Sequence, residues 1–347
     1  MKSPVICELF EINTEWDDYI NQFDFDIYHM SGWIKSSELI DKGEAKGLII
    51  SMDDKKLLFP LIIRKIDDIY WDITSTYGYS GVLHSDNLTE DEINYMLNET
   101  INYLKSQNCV SWFIRLHPIL NKNWQSQVGH IIEHGPTLSS DLTKTEEEHW
   151  SETQVRHRRG IKRALNEGCT IKIEKLTKEN IEIFYDIYEE TMRTLGASDF
   201  YFFNKAYYFS LANLLEKNII LITAFNSSNK PIASSIYTLC EKTGIMQHHL
   251  GGTLDDYRYL QPSKLITHEA RSWGRKNHYK VLHFGGGLGA KKDSLYEYKK
   301  GFSSNEHLFR SQRIIINNDI YQKLCCEKGF SELNIKDVTQ FFPLYRK

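Results

Sequence analysis

Runs of apolar residues separated by short polar turns predict a series of strands in the first half of the chain. Apolar segments at 46–52, 57–66 and 69–76 are separated by turns rich in Asp and Lys. An amphipathic helix follows at 89–108, with apolar residues three and four positions apart, and then an apolar strand at 110–118. The pattern predicts a unit in the order strand, turn, strand, strand, helix, strand.

The second half of the chain repeats this order without appreciable sequence identity to the first. Its strands are predicted at 218–225, 231–239 and 245–253, its helix at 263–277 and its last strand at 280–287. Such an order can arise by chance in an α/β chain, but matching turns in both halves favour duplication. We expect an α/β (α+β) protein with two similar units, each a mixed, largely antiparallel sheet flanked by helices.

A polar segment between the two series indicates a helical connector. Two residue pairs have the spacing of a capping box, which begins a helix: Thr143 with Glu146 and Ser151 with Gln154. Gly168 is placed to end the second helix. The predicted organisation is an N-terminal domain at 1–140, a connector at 141–168 and a C-terminal domain at 169–347.

Composition is that of a soluble globular protein, with 41% hydrophobic and 25% charged residues among 347. The formal net charge of −4 gives no overall positive field, so a polyanion would need a local basic patch. We expect a cytoplasmic protein, because we find neither a signal peptide nor the run of about 18 apolar residues that a membrane span needs. The six cysteines lack CxxC spacing and indicate reduced thiols rather than a metal site or disulfides.

Three glycines follow the last predicted strand, at 285–287, and a segment rich in Lys and Tyr comes next. Glycine there indicates a turn, a bulge or a close approach of the backbone to another group. The segment contains Lys299, which we take as a candidate catalytic residue delivered by the turn. Since several lysines lie nearby, a solvated surface is the alternative interpretation.

Five segments in a fixed order resemble the FemABX peptidyltransferase family, and the related GNAT-type acyltransferases of envelope polysaccharide synthesis. The segments are HMSGWIKSSE from His29, STYGYSGVL from Ser75, RHRRGIKRALNEGCTI from Arg156, FYDIYEETMRTLG from Phe184, and HFGGG from His283 followed by YEYKKGF. The resemblance covers nearly the whole chain and implies two GNAT-like domains. It also implies attachment of an amino acid or another acyl group to an amine of a cell-envelope precursor.

The resemblance places substrate-binding residues in these segments: Lys35, Tyr79, Arg193, Gly285 and Gly286. Three features depart from the family pattern. His117-Pro118 stands where many members have an acidic residue before proline, no helical arm is inserted, and the usual glycine-rich pyrophosphate loop is replaced by YLQPSKLI from Tyr259.

Amide formation from an ester or thioester needs a nucleophilic amine and a donor aimed at the oxygen that gains charge. Lys299 is the candidate donor. Two adjacent histidines, His248 and His249, end a predicted strand, and alternation allows only one of them to face the cleft. We take His249 as a candidate proton acceptor and Tyr257 as a further catalytic candidate, with structural packing as the alternative for both.

Basic residues indicate where phosphates would bind. Pro262 is suited to the first turn of a helix, and a helix N-terminus beside Lys264 and Tyr259 favours an anion. On the connector helix, Arg156, Arg159 and Arg163 form one stripe, which is equally typical of a solvated helix face.

The resemblance therefore implies an acyltransferase, and we expect no tightly bound cofactor and no metal. Its donor would be aminoacyl-tRNA or acyl-CoA, and its acceptor a nucleotide-linked or lipid-linked sugar or peptide of the envelope. Two alternatives remain open: a CoA-dependent N-acetyltransferase acting on a nucleotide-linked amino sugar, and a non-catalytic tandem GNAT binding protein.

Overall fold

The computed structural model describes residues 3–330, 337 and 340–347. The strands are β1 Ile6–Glu11, β2 Glu44–Met52, β3 Lys55–Lys65, β4 Trp71–Ser75, β5 Leu83–His84, β6 Cys109–Leu116, β7 His130–Asp141, β8 Thr170–Lys175, β9 Ile219–Phe225, β10 Pro231–Cys240, β11 Ile245–Thr253, β12 Val281–Gly286 and β13 Asn305–Ile315. The helices are α1 Thr14–Ile20, α2 Ser31–Asp41, α3 Glu90–Ser106, α4 Glu146–Glu152, α5 Val155–Asn166, α6 Lys178–Thr194, α7 Lys205–Leu215, α8 Pro262–Lys276, α9 Ser294–Lys300 and α10 Asn318–Glu327.

Contacts divide the chain into two compact units. Unit 1 contains residues 1–135 and 308–347, and unit 2 contains residues 136–307. The predicted C-terminal domain at 169–347 thus contributes its last forty residues to unit 1. The reason is strand pairing, because β13 runs antiparallel to β6 from Arg310 opposite Leu116 to Ile315 opposite Ser111.

Unit 1 has the strand order β1, β2, β3, β4, β6, β13, with β5 paired to β3. Its pairs are antiparallel except for β4 and β6, which run parallel with Ile73 opposite Trp112. The amphipathic helix α3 contributes Met96, Leu97 and Leu104 to the core over these strands. Apolar strand residues and the apolar face of this helix therefore form the core together.

Unit 2 has the strand order β7, β12, β11, β10, β9, β8. Again one pair is parallel, β11 with β12, and the other pairs are antiparallel. Helices α5 and α8 pack together on the sheet, with Ile161 and Leu265 in the core. Gly160 permits this close approach, because a Cβ there would lie 2.7 Å from Cδ of Lys264.

These observations confirm the predicted class of mixed, mostly antiparallel sheets flanked by helices. The predicted helix starts in the connector are wrong in detail. Helix α4 is capped by Thr145, whose side chain accepts a hydrogen bond from the backbone N–H of Glu148, two residues beyond the predicted pair. Helix α5 begins after Gln154, which makes no side-chain cap. None of the helices in the described part of the chain is long and apolar enough to cross a membrane.

Candidate active site

A cavity of about 600 Å³ lies within unit 2 and is the candidate site. Its walls come from the start of α5, the end of α6, strands β10 to β12, the start of α8, and α9. Several of the residues predicted from the sequence line it, together with side chains that the sequence did not single out. The cavity therefore joins the glycine strand end, the lysine-rich segment and the predicted anion-binding helix start in one place.

The cavity lies where β12 diverges from its neighbour β11. Their parallel pairing extends from Ile245 opposite Val281 to Gln247 opposite His283. Beyond this point β12 continues along β7 with a register shift between His283 and Gly285. Gly285 has a φ of 73°, a left-handed conformation that a side chain disfavours. The glycine thus lets the strand turn away and opens the gap that the cavity occupies.

A β-bulge decides which histidine faces the cavity. In the pairing of β10 with β11, Ile236 lies opposite Leu250 and Tyr237 opposite His248, so His249 is the extra residue. The bulge shifts the alternation, and His248 and Gly251 both line the cavity. His249 lies outside the cavity lining and its Nε2 is 3.0 Å from the hydroxyl oxygen of Tyr207. Of the two histidines, His248 therefore lines the cavity and the predicted His249 does not.

Lys299 lines the cavity and is 9% exposed. Its Nζ donates a hydrogen bond to the carbonyl oxygen of Gly286 at 2.5 Å. Burial lowers the pKa of Lys299 from 10.5 to about 8, and the Asp293 carboxylate opposes this shift. Burial, and after it the charge of Lys299, lowers the pKa of His248 to about 3. At neutral pH the cavity thus holds an ammonium group and a neutral imidazole.

A second group of cations lies at the start of α8. Pro262 occupies the first turn of this helix, as predicted, and Ser263 and Lys264 follow it in the cavity wall. Burial and then the neighbouring Arg156 lower the pKa of Lys264. The guanidinium of Arg156 also lines the cavity and donates to the carbonyl oxygen of Glu297 at 2.8 Å. Two cations beside the positive end of a helix dipole suit an anion.

Two aromatic residues at the cavity, the buried His157 and the half-buried Tyr298, were missed from the sequence. His157 donates from Nε2 to the carbonyl oxygen of Tyr298 at 2.9 Å, and its ring packs on Phe302. Burial lowers the pKa of His157 to about 4, so it is neutral. The hydroxyl of Tyr298 lies 3.1 Å from Oγ1 of Thr267. The available signal was helical spacing, since His157 shares the inward face of α5 with Ile161.

Several predicted residues of unit 2 do not line the cavity. Tyr257 packs against the core under the Lys230 ammonium, and the exposed ring of Tyr259 lies under the guanidinium of Arg163. Arg193 forms an exposed ion pair with Glu189 at 2.9 Å. Together with Arg159, which is exposed, these side chains are absent from the described cavity wall: Arg159, Arg163, Arg193, Tyr257 and Tyr259. Gly285 and Gly286 are also absent from the cavity wall, although the preceding residue, Phe284, lines it.

Lys35 and Tyr79 belong to unit 1, and their predicted binding roles stay predictions. Nζ of Lys35 lies 3.5 Å from a carboxylate oxygen of Glu38, and the Tyr79 ring packs edge-on against Tyr28. In the same unit the fully buried His117 contacts the carboxylate of Asp26 at 3.0 Å. A carboxylate thus lies beside His117, although the residue before Pro118 is not itself acidic.

Among the described residues, no group of three or more His, Cys, Asp or Glu side chains is arranged to hold a metal ion. The described cysteines are free thiols, and most of them are buried.

No protein-family model and no curated protein matches the sequence. Solved structures do match. FemX is 14% identical with a TM-score of 0.67, covering 91% of this chain and 99% of FemX. L-PGS from Bacillus licheniformis is 11% identical with a TM-score of 0.57, covering 89% and 94%. A tandem GNAT protein from the clavulanic acid biosynthesis pathway is 6% identical with a TM-score of 0.51, covering 90% and 99%.

At these identities the similarity is one of fold. It extends over about nine tenths of this chain in each case and over nearly the whole length of each matched structure. The resemblance seen in the sequence motifs is thereby confirmed at the level of architecture: the chain has a FemABX-like tandem GNAT fold.

Proposed function

We propose that this protein is an acyltransferase that transfers an acyl or aminoacyl group from an activated, phosphate-bearing donor to an amine of a cell-envelope precursor. One observation carries the proposal: the buried ammonium of Lys299 lines the same cavity as the neutral His248 and the cationic start of α8. The envelope acceptor, an amino sugar or a peptidoglycan precursor, rests on the resemblance of the sequence motifs to the FemABX family.

The chemistry of acyl transfer suits these groups. The acceptor nitrogen attacks the donor carbonyl carbon, and the carbonyl oxygen gains a negative charge in the tetrahedral intermediate. A buried ammonium group, such as that of Lys299, stabilises this oxyanion more strongly than it would in water. The C–N bond is formed, the bond to the thiol or ribose oxygen of the donor breaks, and the departing group leaves with the electron pair.

The proton of the attacking amine has a path to His248. The neutral imidazole accepts a hydrogen bond from the amine and orients its lone pair toward the carbonyl carbon. Because the charge of Lys299 contributes to the low pKa of His248, an oxyanion beside Lys299 offsets that effect. The basicity of His248 therefore rises at the stage at which the amine proton has to leave.

The donor is held, in this proposal, at the start of α8. Lys264 and Arg156 supply positive charge, and the dipole of α8 adds partial positive charge at its N-terminus. Acyl-CoA carries phosphates at the far end of its pantetheine arm, and aminoacyl-tRNA carries one on its terminal adenosine, so both donors offer a phosphate to this helix start. The proposal therefore includes either donor and no tightly bound cofactor.

A thermal-shift comparison tests the proposal with acetyl-CoA, an aminoacyl-tRNA and a UDP-linked amino sugar as separate ligands. A ligand that binds only the folded protein raises its melting temperature by mass action. We expect at least one donor and one acceptor to stabilise the protein, and the Lys264→Gln variant to lose the donor effect. Stabilisation by acetyl-CoA and the amino sugar alone would favour an N-acetyltransferase, and stabilisation by none would favour a non-catalytic binding protein.

A further inference from the structure

We propose that Asp293 is a positioning residue for Lys299, because its carboxylate fixes the loop that joins the end of β12 to α9. The inference rests on the proposed function, since it assigns Lys299 to the reaction. It goes beyond that function because Asp293 is not part of the cavity wall and would act only through Lys299.

The Asp293 carboxylate links the loop to the helix. One of its oxygens accepts a hydrogen bond from the backbone N–H of Leu288 at 2.8 Å. The other accepts from the backbone N–H of Tyr296 at 2.9 Å, which makes Asp293 the N-cap of α9. A simple helix cap requires only the second of these bonds. The first bond holds the preceding loop against the same carboxylate.

Gly287 shows how closely this carboxylate is packed. A Cβ at Gly287 would lie 2.2 Å from Oδ1 of Asp293 and 2.2 Å from the carbonyl oxygen of Lys291. Since no side chain fits within that distance, only glycine allows the carboxylate to approach the backbone here. The third glycine of the sequence motif thus has a function separate from that of Gly285, which turns the strand.

Lys299 closes the same loop from its other side. Its Nζ donates to the carbonyl oxygen of Gly286, the residue that precedes Gly287. The loop is therefore held at Gly286 by Lys299 and at Leu288 by Asp293. If the carboxylate is removed, the loop loses its attachment at Leu288, and α9, which carries Lys299, loses its link to the residues that follow the acceptor Gly286.

The negative charge of Asp293 also supports Lys299, because it favours the ammonium form. The groups that affect the protonation of this region are Asp293 before α9, which favours the ammonium form of Lys299, and His248 on β11, which the ammonium keeps neutral. Burial works against the ammonium form. Asp293 thus favours the protonated state at the point where burial disfavours it.

The experiment is a titration of Lys299 that does not depend on activity. The protein is labelled with ¹³C at the lysine ε-carbon, the Lys299 signal is assigned with Lys299→Met, and its pH midpoint is measured in wild type, Asp293→Asn and Asp293→Ala. We expect the midpoint to fall below that of wild type in both variants, because a negative charge that favours the ammonium form is lost. Acyl-transfer turnover should also fall in both variants.

The matched control is Asn317→Ala, which removes the N-cap of α10 in unit 1, where the Asn side chain accepts from the N–H of Ile320 at 3.3 Å. It should lower the melting temperature and leave the Lys299 midpoint unchanged. If Asp293→Asn and Asp293→Ala behaved like this control, Asp293 would be a helix cap only and the inference would be overturned.

The result also separates this inference from the proposed function. A shifted midpoint in the Asp293 variants, with no acyl transfer by wild type from any donor, would support the positioning of Lys299 and contradict the acyltransferase. If Asp293→Ala failed to fold, Asp293→Asn alone would decide, because it keeps the shape of the side chain and one acceptor oxygen.

Discussion

The ammonium nitrogen of Lys299 and the carbonyl oxygen of Gly286 are joined by a hydrogen bond of 2.5 Å, although the two residues lie 13 positions apart. The bond ties the end of β12 to the last turn of α9. It fixes a buried cation at the point where β12 turns away from β11. The glycine segment and the lysine of the sequence motif are therefore in direct contact in the structure.

The activity is expected to depend on pH through Lys299. Burial lowers the pKa of this lysine to about 8, so the ammonium form predominates below that value and is lost above it. Turnover with saturating donor and acceptor should therefore decline as the pH rises through about 8, while deprotonation of the acceptor amine raises it at lower pH. The measurement is kcat between pH 6 and pH 10. A kcat that shows no decline up to pH 10 would contradict this assignment, because a lysine with its ordinary pKa of 10.5 is still protonated there.

The two adjacent histidines are expected to have different phenotypes. His248→Gln should lower kcat by about a hundredfold, the usual size of a lost general base, with little change in melting temperature. His249→Gln breaks the contact with the buried Tyr207 and should cost about 1 kcal/mol of stability while kcat stays near wild type. Steady-state kinetics and urea unfolding of both variants check this. The reverse pattern would restore His249 as the site residue.

The cations that line the cavity are expected to set donor affinity. Arg156→Gln and Lys264→Gln should each weaken donor binding by about tenfold and reduce the slope of affinity against salt concentration, because fewer phosphate contacts remain. Arg159→Gln is the matched control, since Arg159 lies on the same helix outside the cavity wall. Titration calorimetry over a salt series makes the comparison. Equal losses in all three variants would mean that only the overall charge of the helix matters.

Substitutions in the glycine strand end are expected to lower both stability and turnover. Gly285→Ala forces a side chain into a left-handed conformation at a cost of about 1 to 2 kcal/mol. Gly286→Val places a Cβ 2.9 Å from the carbonyl oxygen of Pro136, so the backbone has to move. The free energy of unfolding, measured in urea, and the turnover should both fall in each variant. Full stability with full turnover would show that the strand end tolerates side chains and does not shape the site.

Much of the fold could be predicted because local apolar patterns decide it. Helix α3 was expected at 89–108 and runs from Glu90 to Ser106, with Thr89 as its cap. Strand β11 was expected at 245–253 and has these bounds. In both elements the spacing of buried positions is set within the segment itself. Patterns of this kind therefore survive in the three-dimensional structure.

Long-range pairing could not be read from such patterns. Residues 308–347 were expected in the second domain, yet β13 pairs with β6 and the C-terminal Arg346 and Tyr345 contact the fully buried Asp72 of unit 1. The fold therefore returns to its first unit at the end of the chain. Local periodicity contains no information about the partner strand.

The candidate site was predicted in part, for physical reasons that differ between residues. Lys299, Lys264 and Arg156 were found because charged residues beside glycine or a helix start carry a local signal. His248 was passed over in favour of His249 because a bulge of one residue reverses the alternation of a strand and has no signature of its own. Residues whose position depends on such an irregularity are therefore the hardest to identify from the sequence.

The central claim is tested most directly by acyl transfer in the Lys299→Met variant. A single donor ammonium aimed at the oxyanion is typically worth about a hundredfold or more in turnover. Lys300→Met is the matched control, because Lys300 is the neighbouring lysine, is half-exposed, and lies 3.7 Å from the Glu306 carboxylate. The measurement is the rate of acylated acceptor formation by mass spectrometry, with the donor and acceptor identified by thermal shift.

We expect Lys299→Met to lose at least about a hundredfold in this rate without a lower melting temperature, since the substitution also removes a buried charge. Lys300→Met should retain the wild-type rate. A Lys299→Met protein that transfers the acyl group as fast as wild type would contradict the account.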